Sequence, residues 1–282
     1  MLAIVTDAHY RMSVALIRDL SEAGVTVVAC ESDAYPAPAG FASRGAARCV
    51  TLPQSGFPDA LFALCRSLSE ESGEKPALLP VGAATLAMLS AQRARFDAVC
   101  GLCIPTPEQL ALLNDKNALC ALGARLGLPV PQSFSPEADE SDAQFCARAP
   151  LPCVVKPACG EKFGLHAEAR YRIARTAAEL SAAVAHFRAL TGETPIVQEY
   201  LPGGGTGCSV LADHGEVVYA ICHRRVREYP VSGGPSSCCD CIDAPELVDA
   251  ARALVRETGY TGLAMFEFKA DASGAPRLLE CN

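Results

Sequence analysis

The sequence predicts an α/β protein: a parallel, Rossmann-like sheet over the first hundred or so residues, then a region of mixed α+β character. Three observations carry this. Short apolar runs alternate with amphipathic helical stretches as far as Ile104, and Pro105-Thr106-Pro107 then breaks the pattern. Beyond the break, strands separated by turn residues replace the strand–helix alternation.

In order, apolar Leu2–Val5 is followed by a helix over 13–23, a β-branched strand over 25–30 and a strand over 49–52. A helix over 58–71, a strand over 77–81, a helix over 83–94 and a strand over 98–104 complete the first region. Strands alternating with helices imply right-handed crossovers and a doubly wound layer. Thr6-Asp7-Ala8 stands where a dinucleotide-binding G-x-G-x-x-G turn belongs, which disfavours a nicotinamide dehydrogenase. After the break, Thr106 and Pro107 open a helix expected to run through Asp115-Lys116 and Leu119 towards Gly127. A strand over 153–157, a helix over 176–190 and a strand over 195–201 leading into Gly203-Gly204-Gly205 follow. Strands over 208–212 and 216–222 then pair around Asp213-His214-Gly215. The domains expected are 1–106 and 107–282, the second divided at 194/195.

Composition narrows the function classes. Half the residues are hydrophobic and a fifth charged, so the chain is globular. A net charge of -8 argues against nucleic acid as a partner. No apolar run is long enough for a membrane span, and the N-terminus has neither a basic region nor a cleavage site, which places the protein in the cytoplasm. The 15 cysteines are odd in number and mostly sit in apolar runs, as small hydrophobes do. Cys100-Gly-Leu-Cys103, in an expected strand, and Cys238-Cys239-Asp-Cys241, in an expected loop, lack a second ligand pair at zinc spacing.

The C-terminal segment carries the most specific chemistry. Alternating runs flank the turn residues 271–276, so 266–282 is a hairpin. With symmetry about Ser273-Gly274, Glu267 faces Glu280, and Asn282 lies on the same face two residues on. Phe266, Phe268, Leu279 and Cys281 form the buried side. Opposed carboxylates repel, and either a hard divalent cation with oxygen ligands relieves them or they lie on a solvated face where water screens the charges. There are only five lysines, Lys75, Lys116, Lys156, Lys162 and Lys269, against 19 arginines. Lys156 closes an apolar strand ahead of a loop containing Gly160 and Gly164. No Walker A pattern occurs, so a nucleotide has to be held in another way.

Taken together, Lys116 in a helical Asn-Asp-Lys, Lys156 in V-V-K-P, Gln198-Glu199-Tyr200-Leu201-Pro202-Gly203 and Glu267 ahead of Glu280-x-Asn282 resemble the ATP-grasp superfamily, including its carbamoyl-phosphate-synthase-like and carboxylate–amine ligase branches. The resemblance covers roughly 105–282, and the preceding region is similar to the family's pre-ATP-grasp domain. It implies that Lys116 and Lys156 grip the ATP phosphates, and that the loop holding Gly160 and Gly164 closes over them. It further implies that Glu199, with the backbone of Tyr200 and Leu201, meets the adenine. Glu267, Glu280 and Asn282 would bind Mg²⁺. His223-Arg224-Arg225-Val226-Arg227, after a strand and before the Ser/Gly stretch 231–236, is an anion-binding candidate. Arg225 and then Arg227 are the expected stabilisers of an acyl phosphate, while His223 is expected to be structural. The implied activity is an ADP-forming carbon–nitrogen ligase that phosphorylates a carboxylate for attack by an amine or ammonia, with ATP and Mg²⁺ as cofactors. Its alternative is a regulatory nucleotide-binding module with weak catalysis. Small-molecule carboxylates and amines are the expected partners, and a homodimer is compatible with the sequence. The phosphate loop is poorer in glycine than in many relatives, and the chain stops at Asn282 where the family continues, so a C-terminal truncation is expected.

Overall fold

The computed structural model describes residues 1–158, 163, 165, 169–229 and 236–282. The chain divides into two compact units, Met1–Pro107 and Glu108–Asn282.

The first unit contains β1 (Leu2–Val5), α1 (Arg11–Glu22), β2 (Thr26–Ser32), β3 (Ala46–Leu52), α2 (Phe57–Ser72), β4 (Ala77–Leu79), α3 (Ala83–Ala91) and α4 (Arg93–Phe96). Its strands form a parallel sheet in the order β3-β2-β1-β4. The central strands read as unbroken apolar runs because both faces are covered. Ile4, Val28 and Cys30 pack with Leu61, Leu78 and Phe96, while Val5, Val27 and Ala29 pack with Ala8 and Ile17. The strand expected over 98–104 is reduced to a single bridge, Gly101 with Ala77. Val99 and Cys100 donate instead to the Phe96 carbonyl, and this turn off α4 leaves only Gly101 to reach the sheet.

The absence of a dinucleotide fingerprint has a structural counterpart. The strand order reverses between β1 and β4, the crevice where doubly wound sheets bind ligands. Asp7, in the left-handed region at φ 55, fills it with its own carboxylate. That carboxylate accepts hydrogen bonds from Val81 N (3.3 Å), Gly82 N (2.9 Å) and Thr85 Oγ1 (2.7 Å). A Cβ at residue 82 would lie 2.6 Å from Asp7 Oδ1, so a larger residue there would have to displace this carboxylate. With the bond from Thr6 Oγ1 (2.5 Å), Asp7→Ala removes four acceptor contacts and should cost about 2 kcal/mol of stability, read as a lower urea midpoint.

The second unit contains α5 (Pro107–Asn114), α6 (Lys116–Arg125), β5 (Ser133–Phe134), α7 (Asp142–Arg148), β6 (Cys153–Lys156), β7 (Arg172–Ala174), α8 (Ala177–Thr191) and β8 (Ile196–Glu199). These are followed by β9 (Gly205–Asp213), β10 (Glu216–Glu228), β11 (Ser236–Ile242), α9 (Pro245–Thr258), β12 (Gly262–Ala270) and β13 (Pro276–Cys281). Two antiparallel sheets result, ordered β5-β8-β6-β7 and β11-β10-β9-β12-β13. In the first, Cys153, Val155 and Val197 meet Phe145, Leu180 and Phe187 of α7 and α8. In the second, Cys208, Val210, Phe266 and Phe268 meet Leu247, Leu254 and Val255 of α9, with Leu119 and Leu122 of α6.

Several expectations are corrected. The helix from Pro107 is two helices, because Asp115 leaves helical geometry (ψ 114) and caps α6 by accepting from Ala118 N. β8 pairs with β6, so the sheets divide after Glu199 rather than at 194/195. The strand expected to end at Cys222 continues to Glu228, and Cys238-Cys239-Asp-Cys241 lies in β11 rather than in a loop. These two segments pair with each other, and that long-range ladder overrides their local turn character.

Candidate functional site

The β12–β13 hairpin brings Glu267 and Glu280 into direct register. The predicted symmetry holds for Phe266–Cys281 and Glu267–Glu280 but slips by one towards the turn, where Phe268 faces Leu278. The turn is fixed by the Asp271 carboxylate, which accepts from Ser273 N, Ala275 N and the Arg277 guanidinium. A bulge absorbs the mismatch. It therefore buries Leu278 (0% exposed) in place of the expected Leu279. Asn282 extends the ladder by exchanging backbone hydrogen bonds with Met265 (2.7 and 2.9 Å), and its side-chain amide donates to the Glu267 carboxylate.

Two cations pair with these acids, and the charge of a third, Lys156, acts on Glu280. Lys116 Nζ lies 2.8 Å from Glu280 Oε2. Arg225 Nη2 lies 2.5 Å from Glu267 Oε2, and its Nη1 lies 3.6 Å from Glu228. Lys156 is joined to the group through the backbone, because Lys116 N donates to the carbonyl of Ala158, two residues beyond Lys156. Burial pushes the Lys156 ammonium down to about 8, against the attraction of Glu280 and with the repulsion of Lys116 adding to the fall. Below that value it remains a cation. The two carboxylates are driven apart. Burial and the charge of Glu280 raise Glu267 above the usual range despite Arg225 and Asn282. Burial also pushes Glu280 up, but Lys116, Lys156 and Arg225 outweigh it and hold it low.

Not every expected residue joins this cluster. The bulge at Val226 shifts the β10 register, so Arg225 opposes Cys239 while Arg227 opposes Cys238. Adjacent residues of β11 face opposite ways, which carries Arg227 to the other side of the sheet from Arg225. Glu199, Tyr200 and Leu201 stand at the other end of the β6–β8 pair from Lys156, three residues or roughly 10 Å along the strand. The Glu199 carboxylate accepts from Gln132 N (3.1 Å), and Tyr200 N donates to the Pro152 carbonyl (3.3 Å). The glycines at 160 and 164 lie outside the described residues.

The sequence analysis missed several contributors. Gly207 lies between His223 and Glu267 in register, and a Cβ there would lie 2.5 Å from His223 Cε1. Buried Gln198 donates to Ser133 Oγ (3.1 Å) and to Cys120 Sγ (3.7 Å) beneath the two lysines. The Tyr171 hydroxyl is pushed up by burial and then by the charge of Glu228 and by Tyr200. Only Gln198 left a trace in sequence, as a polar residue inside an apolar strand.

A family model described as "ATP-grasp in the biosynthetic pathway with Ter operon" matches residues 191–282. The biotin carboxylase domain of the 2-oxoglutarate carboxylase from Hydrogenobacter thermophilus superposes with a TM-score of 0.69 at 16% identity, covering 99% of this chain and 63% of that one. The fold is that of the ATP-grasp superfamily. Two other solved structures are similar over the same extent. Biotin carboxylase from Campylobacter jejuni has a TM-score of 0.67 at 17% identity, over 99% of this chain and 64% of its own. The L-amino acid ligase from Bacillus licheniformis has a TM-score of 0.63 at 18% identity, over 100% and 66%. The chain thus spans less than two thirds of each of these structures. The Hydrogenobacter domain was solved with MgADP, ADP and bicarbonate. No curated protein matches the chain. No described helix is long and apolar enough to cross a membrane.

The donor set of this cluster suits a hard cation. Among the described residues no three His, Cys, Asp or Glu side chains gather into an all-protein metal cage. Two facing carboxylates and an amide oxygen instead match Mg²⁺, which keeps waters and is shared with substrate phosphates.

Proposed function

We propose that this protein is an ADP-forming ligase that phosphorylates a small carboxylate and passes the acyl group to an amine or ammonia. The observation that carries this is the register of Glu267 with Glu280, met by Lys116 and Arg225 and sensed by Lys156. Opposed acids ringed by three cations form a site that can exchange its internal ion pairs for a metal-bound triphosphate.

Glu267, Glu280 and Asn282 would hold Mg²⁺, which neutralises phosphate charge when bound. Lys116 and Lys156 take the phosphate oxygens as compact cations on flexible stems. The Leu201 backbone and the end of β8 at Glu199 and Tyr200 receive the adenine. A substrate carboxylate then attacks the γ-phosphorus in line, the phosphorus–oxygen bond to ADP breaks, and Arg225 stabilises the charge on the transferred group. The amine attacks the acyl carbon and phosphate leaves. Arg227, on the opposite side of the sheet, has no part in this.

A coupled assay for ADP with Mg-ATP and a panel of amino acids tests the proposal. Substrate-dependent ADP release together with stoichiometric phosphate is expected. Tight Mg-ATP binding without ADP release from any pair in the panel would favour the regulatory-module alternative.

A further inference from the structure

Five of the described cysteines are exposed, Cys49, Cys103, Cys238, Cys239 and Cys241, and three of them fall within four residues of the edge strand β11. Cys239 opposes Arg225 and Cys241 opposes His223 in an unshifted stretch of ladder. The side-chain period of two therefore sets both thiols on one face of the sheet, with Cys238 on the other. This face is also that of Glu267, because His223 and Glu267 both oppose Gly207.

The pair is badly placed to bond to itself. Two residues apart on one strand, their Cα atoms are roughly 6.6 Å apart. That is at the upper limit of about 6.8 Å for a disulfide, and their side chains run parallel rather than towards each other. A single thiophilic atom bridging the two sulfurs removes this conflict. Three of the less exposed cysteines, Cys30, Cys208 and Cys281, are poor nucleophiles because burial pushes their thiols up to about 12. His223, which opposes Cys241, is held below its ordinary value by burial and then by the charge of Arg225.

We propose that Cys239 and Cys241 form a dithiol site that captures a trivalent thiophilic centre of the arsenite type. In the capture two arsenic–sulfur bonds form and two arsenic–oxygen bonds break. Both thiol protons leave with oxygen as water, and no oxidation state changes. The site uses no nucleotide, although it shares its sheet face with Arg225 and Glu267.

The test is titration of the reduced full-length protein with phenylarsine oxide, followed by intact mass spectrometry and by mapping the cysteines shielded from iodoacetamide. One adduct per chain is expected, shielding Cys239 and Cys241 and released by a dithiol but not by an equal concentration of monothiol. Losing one arm of a two-point attachment costs 10²–10⁴ in avidity, so Cys239→Ser and Cys241→Ser should each weaken capture by about 100-fold or more. Cys238→Ser, in the same strand, should change it by less than about twofold and controls for folding. Shielding at Cys49, Cys103 or Cys238 instead, or unchanged capture by Cys239→Ser, would overturn the proposal.

Discussion

Glu280→Gln should lower ADP formation by about 10²–10³-fold while the chain stays folded, because it removes one of two carboxylates placed where phosphate charge is neutralised. Glutamine keeps the size of the side chain and one oxygen, so β13 and its ladder to β12 are undisturbed. What changes is charge. Lys116 loses the carboxylate 2.8 Å from its ammonium, and Lys156 loses the attraction that offsets its burial. Raising Mg²⁺ should recover part of the lost rate if the defect is metal affinity. Circular dichroism confirms folding, and the coupled assay at saturating ATP gives the rate. Turnover within about twofold of wild type would refute the assignment of Glu280 as a metal ligand, since each 1.36 kcal/mol of lost stabilisation is tenfold in rate.

Lys156→Met is expected to raise stability and abolish activity together. The ammonium is carried into the protein at the end of β6, and burial lowers its pKa to about 8 from 10.5. Between those two values the unfolded chain holds a proton that the folded chain has released. Stability therefore rises with pH through the window. Below pH 8 both states are protonated and the folded state bears the whole net cost, roughly 3 kcal/mol. Methionine matches the length of the stem without the charge. Urea titrations should show the variant more stable by about that amount at pH 7, with the gap closing as pH approaches 10.5. A constant gap across this range would mean that the lysine is not desolvated. Loss of turnover with a gain in stability would identify Lys156 as a residue whose placement serves binding at the expense of the fold, as functional sites commonly do.

Much of the site was legible because it rests on period-two alternation. Glu267, Glu280 and Asn282 fall on one face of a hairpin whose turn residues announce themselves, and β12 and β13 form where the alternation lies. The one-residue slip at Leu279 was not legible, because it depends on how the Asp271 carboxylate cinches the turn. Arg225 and Arg227 looked equivalent, being two residues apart. The bulge at Val226 separates them, and a bulge is set by the partner strand rather than by the bulged sequence.

By itself, then, the sequence determined the strand–helix alternation of the first unit, the hairpin and the acidic pair, since these follow from side-chain period and turn chemistry within short windows. Only the tertiary structure decided that β8 joins the sheet of β6, that β10 runs on to Glu228 to pair with β11, and that Lys116 and Arg225 close on Glu280 and Glu267. The separations of 164 residues between Lys116 and Glu280 and of 42 between Arg225 and Glu267 are why. No local preference selects such pairs; they are chosen by the burial of the two sheets' apolar faces, which fixes where each strand end must lie.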